Sequence, residues 1–119
     1  MATFSKVKLS GSTSGRGIKV AATATAGTAI HTAVAGASDI DEIWIYAVNS
    51  SGSDVNLTLE WGAAAPATDL GIGPVTIKAY SGLVLVAPGL ILNGGLALKA
   101  FASVTNVIDI HGYVNRITA

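Results

Sequence analysis

The chain has 119 residues, half of them apolar and 12% charged, with seven basic and seven acidic side chains and no cysteine. That length suits one domain with one core, and the apolar content excludes a disordered chain. Zero net charge supplies no global field for nucleic acid or an anionic membrane, and the lack of cysteine removes disulfides, thiol catalysis and thiolate metal sites. The apolar content has two readings: a small domain rich in alanine and glycine, or a surface with patches that partner subunits cover.

The N-terminus, Met1 to Lys8, carries no apolar run of the kind a secretory signal needs, so synthesis and use in the cytoplasm are expected. Lys6-Val-Lys-Leu9 alternates charge with apolar side chain and predicts a short edge strand, whose lysines discourage stray pairing. Gly11 to Gly17 is glycine-rich, yet it lacks the Gly-Lys-Ser/Thr ending of a phosphate loop and leads into another alternating segment, Ile18 to Ala22. It is read as a mobile or partner-ordered loop. Lys6, Lys8, Arg16 and Lys19 all precede the first acid, Asp39, so residues 1–20 are expected to form an extended basic arm or edge strand and residues 21–119 the folded domain.

Thr28 to Val34 follows as a strand, and Gly36 to Asp39 turns into Asp41-Glu-Ile-Trp-Ile-Tyr-Ala-Val-Asn49. That strand is apolar on both faces and is expected to be central and covered on two sides. Ser50 to Asp54 has the composition of a turn, and beyond it Val55, Leu57, Leu59 and Trp61 alternate with Asn56, Thr58 and Glu60. The two strands read as a hairpin whose second member shows Asn56, Thr58 and Glu60 to water or to a subunit. Gly62 to Asp69 is a loop of small residues, a common place for contacts. Pro74 to Lys78, Gly82 to Val86, Leu90 to Leu92, Leu96 to Phe101 and Val107 to Asn115 then read as short strands divided by turn residues. Lys78 to Lys99 holds no charge between its ends, but Pro88-Gly89 and Asn93-Gly94-Gly95 cut it into runs far short of the ~20 residues of a spanning helix. In the last strand Ile108, Ile110 and Val114 face one way and Asp109, His111, Tyr113 and Asn115 the other. Strands at this spacing predict an all-β chain, a single antiparallel sandwich of jelly-roll type.

Catalysis needs groups of tuned proton affinity converging in a pocket, and candidates are few. His31 sits among Ile30, Thr32 and Val34, and His111 shares a strand face with Asp109 and Tyr113. Residues two apart are neighbours on any strand, and two ligands without a third do not make a metal site, so both histidines are read as structural or interfacial. Asp39, Asp41 and Glu42 lack calcium-loop spacing and are read as solvating the loop before the central strand. No serine lies in a nucleophile elbow. No cofactor, metal or catalytic residue is assigned, and the chain is not expected to be an enzyme.

The run Ala47-Val-Asn-Ser-Ser-Gly-Ser-Asp-Val-Asn-Leu-Thr-Leu59, then Gly82-Leu-Val-Leu-Val-Ala-Pro-Gly89, Leu90 to Lys99 and the closing Ile110-His-Gly-Tyr-Val114 resemble small β-sandwich virion proteins of tailed bacteriophages. These are head decoration (cement) proteins and related head-fibre or neck modules. The resemblance covers roughly residues 28–117 and leaves the basic N-terminal segment as the part adapted to a partner. It implies a jelly-roll-like sandwich without enzymatic activity, self-association as a trimer, and attachment to the major capsid protein on the outside of a shell. Partner contacts are then expected at Lys6, Lys8, Arg16, Lys19, Asp109, His111 and Tyr113. Deleting residues 1–20 is expected to abolish shell binding and leave the sandwich folded. The alternative reading is a fibre, neck or receptor- and glycan-binding module that uses tryptophan and tyrosine on exposed loops.

Overall fold

The computed structural model describes residues 2–62 and 71–119. Nine strands carry them: β1 (Thr3–Lys8), β2 (Ile18–Lys19), β3 (Thr28–Thr32), β4 (Ile40–Asn49), β5 (Val55–Trp61), β6 (Gly71–Ile77), β7 (Val84–Leu92), β8 (Ala97–Ala102) and β9 (Ile108–Thr118). All pairings are antiparallel, in two sheets packed face to face. The first runs β1-β9-β4-β7, with β2 also paired to β9, and the second runs β3-β8-β5-β6. No helix occurs among the described residues.

Period-two patterning explains the core. Ile43, Ile45 and Ala47 of β4 and Ile108, Ile110 and Val114 of β9 point inward from the first sheet. Val55, Leu57 and Leu59 of β5 and Leu98, Ala100 and Ala102 of β8 meet them from the second. The small alanines let the sheets approach where isoleucine and leucine fill the facing positions.

Several expectations need correction. The segments 41–49 and 55–61 do not pair with each other: β4 lies between β9 and β7, and β5 between β8 and β6, in the other sheet. Ser50 to Asp54 is therefore a crossing between sheets. It winds around Asn49, whose buried side-chain amide donates to the Ser53 carbonyl (2.8 Å) and the Ile77 carbonyl (3.0 Å), while its Oδ1 accepts the Ser51 amide at 2.9 Å. Such side-chain turns redirect a chain without a hairpin ladder. β4 is central but covered on one face only. Trp44, Tyr46 and Val48 on its outer face are half-buried by neighbours in the same sheet.

Val84–Val86 and Leu90–Leu92 belong to one strand, with Gly82 and Leu83 ahead of it. β7 passes through Pro88-Gly89 because the register slips there, Ile43 facing Leu90 and Trp44 facing Pro88. Gly89 is the extra residue at this slip, with φ +75°, and a Cβ added to it would meet the Trp44 ring at 3.0 Å. The N-terminal segment takes the edge-strand form expected for it. β1 lies along β9 from Thr3 opposite Thr118 to Lys8 opposite Tyr113, and Leu9, Ile18 and Val20 are buried in the core. The Gly11–Gly17 loop is bonded within itself, Ser12 Oγ donating to the Arg16 carbonyl at 2.7 Å, and to β3, the Gly11 amide donating to the Ile30 carbonyl at 2.9 Å. Of the Gly62–Asp69 loop, all but Gly62 lies outside the described residues.

Candidate interaction face

The inner face of the first sheet ends in a polar cluster. Asp41, fully buried on β4, receives Arg116 Nε on Oδ1 (2.8 Å) and Arg116 Nη2 on Oδ2 (3.0 Å) from β9. Its Oδ2 also accepts the Val34 amide (3.0 Å) and His31 Nε2 from β3 (2.8 Å). His31 Nδ1 accepts the Ser10 amide at 3.0 Å. A backbone N–H can only donate, so the imidazole carries its proton on Nε2 and aims it at Asp41. Burial pushes the Asp41 carboxyl up, but hydrogen bonds from Arg116, His31 and the Val34 amide, with the Arg116 charge, outweigh it and hold the group below its ordinary value. Neither ring nitrogen of His31 is free to take a proton from a substrate. The cluster ties the two sheets together and anchors the chain at Ser10. Asp41 thus does not solvate the loop before β4, as expected for it; the half-buried Arg116 and two further donors make its position tolerable.

Glu60 also departs from expectation. Its place in β5 is outward, yet it is fully buried, because the chain at 25–27 crosses over it. Thr25 Oγ1 donates to Oε2 at 2.8 Å and the Gly27 amide to Oε1 at 2.6 Å.

The outer face of the first sheet collects most of the residues singled out for partner contact. β1 contributes Lys6 and Lys8, β2 Lys19, and β9 Asp109, His111 and Tyr113. Tyr113 is the hub. Its ring stacks on Trp44 (centroids 6.1 Å apart, planes 12° apart), and Lys6 Nζ sits 4.6 Å from its centroid. Glu42 accepts Trp44 Nε1 at 2.8 Å and Asn115 Nδ2 at 3.0 Å, and these bonds hold its carboxyl below the ordinary value. Asp109 lies 3.8 Å from Lys19 Nζ, and His111 stands opposite Tyr46 with Gly17 against its ring. The stripe therefore does not converge on one point: Asp109 faces a lysine, His111 a glycine and Tyr113 an aromatic stack. Arg16 is apart from them, exposed in the Gly11–Gly17 loop. Among the described residues, no three His, Cys, Asp or Glu side chains are placed to hold a metal ion.

The sequence reading missed the apolar border of this face. Leu85 lies opposite Tyr46 and Ile91 opposite Glu42 on β7, the strand at the sheet's other edge. Among the described residues, Tyr80, Leu83, Leu85, Leu90, Ile91 and Leu96 are six of the eight large apolar side chains most open to solvent. The signal for them was the uncharged run from Ala79 to Leu98, which reads as buried strands when nothing marks the segment as an edge. Across the face, cations stand at the β1 border, aromatic and hydrogen-bonded groups at the centre, and aliphatic side chains at the β7 border. No family model, curated protein or solved structure matches this chain.

Proposed function

We propose that this protein is a bacteriophage head decoration protein, a jelly roll that self-associates and binds the outside of the major capsid protein shell. The observation that carries the reading is the row of exposed aliphatic side chains on β7. An edge strand of this length with leucine and isoleucine in water is a template for association, and monomeric domains blunt such edges with charge. Here Lys6 and Lys8 guard the opposite edge, on β1, and no charged residue lies within β7.

Strand order supports the jelly-roll part. With the two-residue β2 set aside, the remaining eight strands taken in chain order give first-eighth-third-sixth in one sheet and second-seventh-fourth-fifth in the other. That order matches the wind of a jelly roll, an architecture common among viral capsid and lectin domains. The mechanism follows from the division of the outer face. The β7 border joins copies of the chain into a trimer, and the cationic and aromatic part around Lys6 and Tyr113 lies against capsid subunits, adding buried area across their joints. Specific contacts of this kind need on the order of 1,000 Å².

Copy number in purified particles from the source, measured by mass spectrometry against the major shell protein, tests the reading. Near-stoichiometric abundance is expected. A few copies per particle favours a neck or fibre component, and absence from particles removes the virion reading.

A further inference from the structure

We infer that the outer face of the second sheet carries a binding cleft for a neutral saccharide unit, on the opposite side of the molecule from the proposed shell-binding face and independent of that reading. The cleft is open and measures about 510 Å³, within the usual range for small-molecule sites. Its floor is a pair of adjacent strands. Thr58 of β5 stands directly opposite Phe101 of β8, and beside them the Asn56 amide donates to Ser103 Oγ at 3.0 Å while the Ser103 amide donates to the Asn56 carbonyl at 2.9 Å. The chain carrying Thr23 and Thr25 forms one wall, and β6 from Gly71 to Pro74 forms the other.

The first wall is built rather than loosely laid. Both carboxylate oxygens of the buried Glu60 are engaged in holding it, one by the Thr25 hydroxyl and one by the Gly27 amide. The Ala102 amide donates to the Ala22 carbonyl at 3.1 Å, and Thr105 Oγ1 donates to the Ala21 carbonyl at 2.7 Å. Burying the Glu60 side chain costs solvation, which its bonds to Thr25 and Gly27 offset while fixing a loop over the outer face of the sheet. The cleft is therefore formed before any ligand arrives, which lowers the cost of binding.

The lining selects the ligand class. Among the described residues no charged side chain lines the cleft, so an ion entering it would lose water with no counter-charge to replace it. A wholly apolar ligand would strand the threonine and serine hydroxyls. Hydroxyls that both donate and accept, an amide and a half-buried Phe101 ring suit a pyranose, whose hydroxyls lie around its edge and whose C–H groups form an apolar face. Thr25 already donates to Glu60, so it faces the ligand as an acceptor.

The test is a titration of the ¹⁵N-labelled full chain with methyl glucoside, methyl galactoside, N-acetylglucosamine and a maltooligosaccharide, with a sulfated monosaccharide as the charged comparison. A Kd on the order of 1 mM is expected for a single sugar in a cleft this open. Amide shifts should cluster at residues 23–27, 56–58, 71–73 and 101–103. Phe101→Ala should weaken binding at least about tenfold while the spectrum keeps its dispersion. Thr58→Val decides the matter if that variant fails to fold, and Glu60→Gln should weaken binding while moving the Gly27 amide. Tighter binding of the oligosaccharide assigns the site to a polymer, and equal binding assigns it to free sugar. No clustered shifts with any neutral probe up to about 50 mM, shifts unchanged in Phe101→Ala and Thr58→Val, or equal binding of the sulfated sugar overturns the inference.

Discussion

Asp41 takes four hydrogen bonds from three partners, and Arg116, its only cationic one, keeps 28% of its side chain in solvent. Removing the acid leaves a guanidinium and an imidazole N–H facing each other across the sandwich end. Asp41→Asn is expected to destabilise the fold by about 3 kcal/mol at neutral pH, the low end for breaking a buried pair because Arg116 can turn toward water. The acid dependence has a definite sign. The folded-state pKa of Asp41 is depressed, so around the unfolded value, near ~3.9, the unfolded chain binds more protons than the folded one. The stabilisation is complete above that value and is lost as pH falls through the folded value. Glu42, bonded by Trp44 and Asn115, and Asp54, bonded by the Ala79 amide and Lys78, shift in the same direction and add to the loss. Thermal melts from neutral pH down to about pH 3 should show the wild-type midpoint falling on acidification and the gap to Asp41→Asn narrowing. A gap that stays constant over that range would mean that the carboxylate charge is not what Asp41 contributes.

At the scale of the strand, the N-terminal segment divides into a dispensable and an indispensable part. Residues 3–6 of β1 are exposed, whereas Leu9, Ile18 and Val20 are buried. Each buried aliphatic side chain stabilises by roughly 1.5–3 kcal/mol, so losing all three removes an amount comparable to the whole stability of a domain this size. Truncation before Lys6 should leave a cooperative melt, and truncation of residues 1–20 should abolish it by circular dichroism. A folded 21–119 fragment would show that β9 can form the sheet edge unaided. The strands that were legible in sequence are those whose cause is local. Alternation in 108–115 identifies both faces of β9 without reference to any neighbour. Pairing is not local. Alternating segments joined by a turn look the same whether they face each other across a sandwich or lie side by side, so the separation of β4 from β5 was hidden. Pro88-Gly89 reads as a break because proline cannot donate to a ladder, yet an edge strand with a bulge tolerates it, and β7 has both. The polar roles were hidden for the same reason: Glu60 meets Gly27 across 33 positions and Asp41 meets Arg116 across 75.

For the molecule as a whole, the question is what an uncharged aliphatic edge does in water. The chain has no net charge, and its isoelectric point near 6.7 leaves little repulsion between copies at neutral pH. β7 exposes Leu85 at 48% and Ile91 at 57%, both on the outer face of a strand that ends its sheet among the described residues, with Trp61 Nε1 donating to the Ile91 carbonyl at 3.3 Å. The register slips at Gly89 and again at Val86, and the bends they make select a partner of matching curvature rather than excluding one. Under the proposed function the domain is expected to sediment as a trimer at micromolar concentration. Leu85→Lys with Ile91→Lys replaces exposed side chains only, so the melting midpoint should change little, while the added charge makes the edge resemble the lysine-guarded β1. Analytical ultracentrifugation of this double variant should give monomer, and its occupancy on shells should fall as the avidity of three joined copies is lost. A variant that remains trimeric would place the contact elsewhere, with the cationic border at Lys6 and Lys8 the next to test. A wild-type chain that is monomeric at high concentration and still decorates shells would mean that the β7 edge meets the capsid subunit directly, with the lysine border turned outward.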